Sequence, residues 1–424
     1  MTAGPGDPAA GLRIAMLAPV AWRTPPRHYG PWEQVASLLT EGLVRRGVDV
    51  TLFATGDSVT TAALESVTPT GYAESGRDGR VWEALHIAAV LDRAGEFDLV
   101  HNHLDWLPLA LAAQWPVPLV TTVHGFSGPE ILPAYREALR HPRTANLVSI
   151  SDSDRSPELD YAATVHHGID VEGFPAGSGG EDLVILGRIH PDKGTAEAVR
   201  IAAAAGRRLL LCGIVQDERY WREEVEPLVD GTRVVYRGSV GPEERALVLG
   251  GALALLHPIG FDEPFGLSVV EAMACGTPVI AYRRGSMAEI IDEGLTGYAV
   301  GSASEAVAAV ERVGLLDRAA VRATARRRFA VDRMVDEYLA VYAGVLGRLS
   351  DADRKRACLD LISSSPAEVS DRPQMAGQAP RRPERSTGIE PEGKRLGAVS
   401  PSGPPAAGRA ASGRRGRLQR ARPS

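Results

Sequence analysis

The chain has 424 residues, 44% of them apolar and 24% charged. That balance suits a globular protein of two domains and excludes a fibrous or fully disordered one. The net charge of −6 is uneven: from Ser364 onward 12 Lys+Arg face 5 Asp+Glu, a tail of +7, which leaves −13 for the rest. An acidic body excludes general nucleic-acid binding, since only the tail is basic.

In chain order, "MTAGPGDPAAG" (1–11) has neither the basic nor the apolar region of a secretory signal, so it is expected to be a loose leader. "LRIAMLAP" (12–19) is a predicted strand. "PWEQVASLLTEGLVRRG" (31–47) follows as a helix, with Pro31 in its first turn and Gly47 just past its end. "VDVTLFATG", "DLVHNH", "LVTTVHG" and "ANLVSIS" are further strands of a first unit, 12–170. The Gly- and Pro-rich "VEGFPAGSGGED" (171–182) is a linker. A second series, "DLVILGRI", "RLLLCG", "RVVYRG", "ALLHPI" and "PVIAY", each followed by a helical pattern, makes a unit spanning 183–328.

"FAVDRMVDEYLAVYAGVLGRL" (329–349) is predicted as a closing amphipathic helix. From 350 to 424 the composition turns to Pro, Gly, Ala, Ser and Arg, which cannot bury enough surface to fold, so a disordered basic tail is expected. Cys212, Cys275 and Cys358 are isolated, without metal or CxxC spacing, and fit incidental thiols in a reducing, cytoplasmic setting. No apolar run is long enough to span a membrane. Two doubly wound units joined by a linker place a cleft between the carboxyl ends of their strands.

Four stretches border that cleft. In "FDEPFGLSVVEAMACGTPVIA" (261–281), Glu263 lies in a loop and Glu271 on the apolar stripe of the following helix, with Leu267 and Ala274. A carboxylate there needs partners, and paired hydroxyls such as those of a ribose would serve. Gly266 admits close backbone approach, and the free amides near Leu267 and Ser268 suit an anion. In "LGRIHPDKG" (186–194), Arg188 and Lys193 are two cations placed for a diphosphate, and Lys193 is the only lysine before Lys355. "VHGF" (123–126) brings His124 from the first unit. The loop "TPPRHYGPWE" (24–33), with Tyr29 and Gly30, faces the same cleft and is not a GxGxxG dinucleotide loop. "HNHLDW" (101–106) raises a zinc reading for His101, His103 and Asp105, but no third ligand set accompanies it, so a loop or acceptor-side role is preferred.

Together these residues resemble the retaining glycosyltransferases of family 4, which have the GT-B fold: two Rossmann-like domains facing a cleft. The resemblance covers about 12–348 and rests on E-x7-E at Glu263 and Glu271, "GR....KG" at 187–194, "HG" at 124–125 and "RRGSMAEIIDEGLTGY" at 283–298. It implies a nucleotide-sugar donor held by the second domain. Arg188 and Lys193 would sit on the diphosphate, Glu271 on the ribose and Glu263 on the sugar hydroxyls, with Phe265, Gly266, Leu267 and Ser268 completing the donor site. His124 would approach the sugar, making Glu263, His124, Arg188 and Lys193 the catalytic set, with Tyr29 and Gly30 on phosphate or acceptor. It further implies retention of configuration by front-face attack, no metal or other cofactor, and a final helix that crosses back to the first domain.

The acceptor is a small molecule, glycan or lipid, and base and sugar are open. One departure stands out: the family's Gly-Gly pair is here Gly30-Pro31, and Pro31 offers no N–H. A catalytically weakened nucleotide-sugar-binding protein and a 2-epimerase-like isomerase on the same fold are the alternatives. For the basic tail, a solvated extension is preferred to peripheral contact with anionic lipid or nucleic acid.

Overall fold

The computed structural model describes residues 11–125 and 128–349. The expected tail, Cys358, Phe126 and all of the leader except Gly11 lie outside the described residues.

Two wholly parallel sheets carry the chain. The first contains β1 (Arg13–Leu17), β2 (Asp49–Phe53), β3 (Ala63–Glu65), β4 (Leu99–Asn102), β5 (Leu119–Val123), β6 (Ala145–Ser149) and β7 (Ala163–Thr164), in the order β3-β2-β1-β4-β5-β6-β7. The second contains β8 (Leu183–Leu186), β9 (Leu209–Cys212), β10 (Val234–Gly238), β11 (Ala254–His257), β12 (Val279–Tyr282) and β13 (Gly297–Val300), in the order β10-β9-β8-β11-β12-β13. Every strand pair is parallel, so crossovers cover both faces and the inner strands are buried end to end, as in "LVTTV", "ANLVS" and "ALLH". Strand order reverses between β1 and β4 and again between β8 and β11, and ligands of such sheets collect at the carboxyl ends beside those reversals.

β3, β7 and β13 are additional to the strands expected from the sequence. β3 has three exposed residues and β7 only two, too short for a periodicity to register. The closing helix also differs: it begins at Val331, not Phe329. Ala330 is extended (ψ 144°) and bridges Ile169; the Ile169 N–H donates to Phe329 O at 2.8 Å, and the Val331 N–H to Ile169 O at 3.1 Å. This short bridge separates the Arg318–Phe329 helix, whose buried face joins the second-half core, from the Val331–Gly347 helix, which packs on the first half.

Met334, Val335, Tyr338, Tyr342 and Val345 of the Val331–Gly347 helix are buried among Ile14, Met16, Val35, Leu39 and Leu43 of the first half. Each such side chain contributes about 1.5–3 kcal/mol of burial. The chain therefore passes through one half, then the other, and returns to the first, which holds the two strand-end surfaces opposite each other.

Candidate active site

The two loops beside the second sheet's reversal supply most of the site. After β8, the 187–194 loop ends in Gly194, whose φ of 68° is left-handed; a Cβ there would lie 2.0 Å from Pro258 O, in the loop after β11. Only glycine permits that approach. The consequence is electrostatic: Lys193 Nζ comes within 2.9 Å of Glu263 Oε2 and sits 4.5 Å over the Phe261 ring.

His257, the last residue of β11, donates from Nε2 to the same Glu263 oxygen at 3.2 Å. Burial by itself would raise the Glu263 carboxyl, but the His257 hydrogen bond and the Lys193 charge outweigh it and bring it down to about 2. Glu263 is therefore an ionised acceptor at neutral pH, not a proton donor. Arg188 donates to Gln216 and, at 3.3 Å, to Asp192, which holds its guanidinium at the mouth of the same loop.

Gly266 (φ 90°) starts the Leu267–Ala274 helix with no side-chain cap. The Leu267 and Ser268 amides thus belong to a first turn whose N–H groups have no intrahelical acceptor. Leu267 packs against the cores of both halves. One turn on, Glu271 is buried at 8% exposure and accepts from Arg245 at 3.0 Å. Burial raises the Glu271 carboxyl, and the Arg245 charge only partly offsets this.

From the first half, His124 directly follows β5, with its ring stacked on Trp32 (centroids 5.1 Å apart) and its Nε2 2.9 Å from His103 Nδ1. Burial holds His124 well below the usual histidine range, so it is a neutral imidazole. The next residue, Gly125, has φ 110°, and a Cβ on it would meet Pro264 Cγ at 2.4 Å. His124 is thereby placed directly beside the Glu263–Pro264–Phe265 loop. Phe265 is buried edge-to-face against His167, 5.1 Å between centroids. Tyr29 is partly exposed and lies in the combined field of Arg188, Glu33, Asp192 and Glu263; burial raises its hydroxyl. Gly30 caps the Pro31–Arg45 helix, so Pro31 stands at a position whose N–H would have no helical acceptor in any case.

His124, Tyr29, Arg188, Lys193, Glu263, Phe265, Gly266, Leu267, Ser268 and Glu271 thus come from both halves onto one set of facing strand ends. The zinc reading of His101, His103 and Asp105 has a structural answer instead. His101 engages Tyr342 and Thr122 at 2.7 and 2.8 Å, and Asp105 accepts from Tyr135. A separate 440 Å³ recess, lined by Gly177, Cys275, Arg318 and Arg322, shares no residue with the site. Its arginines cap carbonyls, Arg318 those of Gly250 and Ala252.

Sequence reasoning missed three groups. His257 was visible as a histidine at a strand end, next to the loop. Arg245 had no signal, because its partner is 26 residues away. Glu33, in the first turn of the Pro31–Arg45 helix, carries no sequence signal of burial; it is 3% exposed, and burial raises its carboxyl to about 7.

A second half that holds cations and an open helix start, facing a first half that brings a neutral histidine, agrees with what the chain is similar to. The family profile for Glycosyl transferases group 1 matches residues 172–326, and that for Glycosyltransferase Family 4 matches residues 33–172. A glycogen synthase of Mycobacterium tuberculosis is 28% identical over 281 residues, 58% of this chain and 66% of the relative. A D-inositol 3-phosphate glycosyltransferase of Mycobacterium bovis is 26% identical over 326 residues, 65% of this chain and 67% of the relative. The chain thus spans about two thirds of the length of these curated relatives.

Among solved structures, AviGT4, a glycosyltransferase involved in avilamycin A biosynthesis, superposes with a TM-score of 0.60 at 25% identity, covering 79% of this chain and 98% of that one. Anabaena Alr3699/HepE, solved with UDP and glucose, shares the fold with a TM-score of 0.61 at 18% identity, over 78% of this chain and 99% of that one. The chain belongs to the group 1, family 4 glycosyltransferases and has their GT-B fold.

Proposed function

We propose that the protein transfers a sugar from a nucleoside-diphosphate-sugar to an acceptor hydroxyl, with retention of anomeric configuration and without a metal or other cofactor, in the cytoplasm. The observation that carries this reading is the juxtaposition of Lys193, Arg188, Glu263 and the uncapped helix start at Gly266 beside the β8/β11 reversal. Family membership supports the reaction class.

Departure of the diphosphate breaks the C1–O bond and builds negative charge, which Arg188, Lys193 and the Leu267 and Ser268 amides are placed to stabilise. Glu263, ionised and fixed by His257, orients the sugar through its hydroxyls; Glu271 accepts from the ribose. The acceptor oxygen bonds C1 from the face the leaving group vacates, and its proton passes to the departing phosphate. Neutral His124 contacts the sugar without adding a charge that would compete for the phosphates. Tyr29 and Gly30 close the site from the first half, towards the acceptor, whose class (small molecule, glycan or lipid) is left to the assay.

The test is a panel of UDP-, GDP- and ADP-sugars, followed as nucleoside diphosphate release, with the anomeric configuration of the product read by NMR and the assay repeated in a chelator. Release from one donor class, a retained anomer and unchanged rate in chelator are expected. Donor binding with no turnover on any acceptor would instead support the weakened binding protein that Pro31 suggests, and an inverted product would overturn the proposed chemistry.

A further inference from the structure

Arg245 connects three parts of the molecule. It stands on the Pro242–Gly250 helix, and one guanidinium nitrogen donates to Glu271 Oε1 at 3.0 Å. The other terminal nitrogen reaches across to His28 O at 3.4 Å, in the first-half loop that also carries Tyr29 and Gly30. Its Nε is buried and has no acceptor among the described residues. The arginine is thus fixed at one end by a buried carboxylate, held at long range by the opposite half, and left with a donor in reserve.

Glu271 needs this neighbour. Burial favours its neutral form, and Arg245 is the charged group that opposes that tendency. A neutral carboxyl would present an O–H where a ribose hydroxyl must donate, whereas a fixed carboxylate accepts from two hydroxyls at once. A guanidinium on one oxygen also sets the orientation of the other.

Resting on the proposed ribose role of Glu271, we infer that Arg245 is a positioning residue. It keeps Glu271 ionised and aimed at the ribose hydroxyls, and it ties that carboxylate to the 24–30 loop through the His28 carbonyl. Preference for a ribonucleotide over its 2′-deoxy counterpart then depends on Arg245, although Arg245 does not itself take the ribose.

The test is calorimetric titration of the full chain with UDP, GDP and ADP, and then with the 2′-deoxy form of whichever binds. Wild type is expected to prefer the ribonucleotide. In Arg245→Met, ribonucleotide affinity falls roughly tenfold to a hundredfold, the cost of losing a charge-assisted contact, and the preference over the 2′-deoxy form collapses. Arg245→Lys, which restores the charge, recovers part of the preference and guards against a variant that only misfolds. A preference that survives in Arg245→Met, or equal weakening towards both forms, overturns the inference. Glu271→Gln separates the two levels: if it leaves the preference intact, the ribose reading of Glu271 fails. If Glu271→Gln abolishes the preference while Arg245→Met does not, only the role of Arg245 fails.

Discussion

Lys193 and Glu263 form a partly buried ion pair, 2.9 Å from Nζ to Oε2, although 70 residues separate them in the chain. Their side chains are 17% and 11% exposed, and His257 donates to the same carboxylate oxygen. The pair stores a cation and an anion at the point where a diphosphate and a sugar would meet. The Lys193 charge helps to keep the Glu263 carboxylate ionised.

Glu263→Gln keeps the shape and removes the charge. Loss of one oriented group from a site of this kind costs about 10²–10³-fold in kcat. Steady-state turnover with the working donor is expected to fall by that factor, while nucleoside diphosphate affinity, measured by calorimetry, changes far less. Equal losses in both would show that Glu263 serves the phosphates rather than the sugar.

Glu33 makes stability depend on pH. Its folded carboxyl titrates at about 7 against an ordinary 4.5, so the folded protein holds a proton that the unfolded chain has released. Stability contributed by this group is therefore lost as pH rises from 4.5 towards 7, and the loss is complete above that. Glu33→Gln removes the penalty. Urea unfolding at about pH 8 is expected to show the variant ahead by on the order of 3 kcal/mol relative to the comparison at about pH 4.5. No change in that difference between the two pH values would contradict the assignment.

Gly125 tests the apposition of the halves. An alanine Cβ would lie 2.4 Å from Pro264 Cγ, on a residue whose φ is already 110°. Gly125→Ala is expected to destabilise the fold by about 1–3 kcal/mol and to push His124 away from the Glu263 loop. Turnover should fall more than stability alone explains, at a temperature where the variant is still folded by circular dichroism.

These residues also show where sequence reasoning reached. The parallel two-sheet architecture was legible because short β-branched runs alternate with amphipathic helices, and E-x7-E was legible because its spacing spans one loop and the first turn of one helix. Lys193 stood out as a lysine in an arginine-rich chain, and β8 placed it at a strand end. What could not be read is what tertiary contacts decide. Arg245 meets Glu271 only because two helices pack side by side, and it meets His28 only because the halves face each other. Glu33 lies in a helical first turn that would ordinarily be solvated; the Pro26–Gly30 loop and the Trp22 backbone bury it. The break at Ala330 likewise comes from a strand-like bridge to Ile169, which no local propensity for alanine foretells.

The central claim is a nucleoside diphosphate seat built on Lys193, Arg188 and the Gly266 helix start, and calorimetric titration with UDP, GDP and ADP on wild type and Lys193→Ala tests it most directly. The account predicts that one diphosphate binds wild type and that the variant binds it roughly tenfold to a hundredfold more weakly, as loss of a charge-assisted contact requires. Binding of none of the three, or equal binding by the variant, would contradict it.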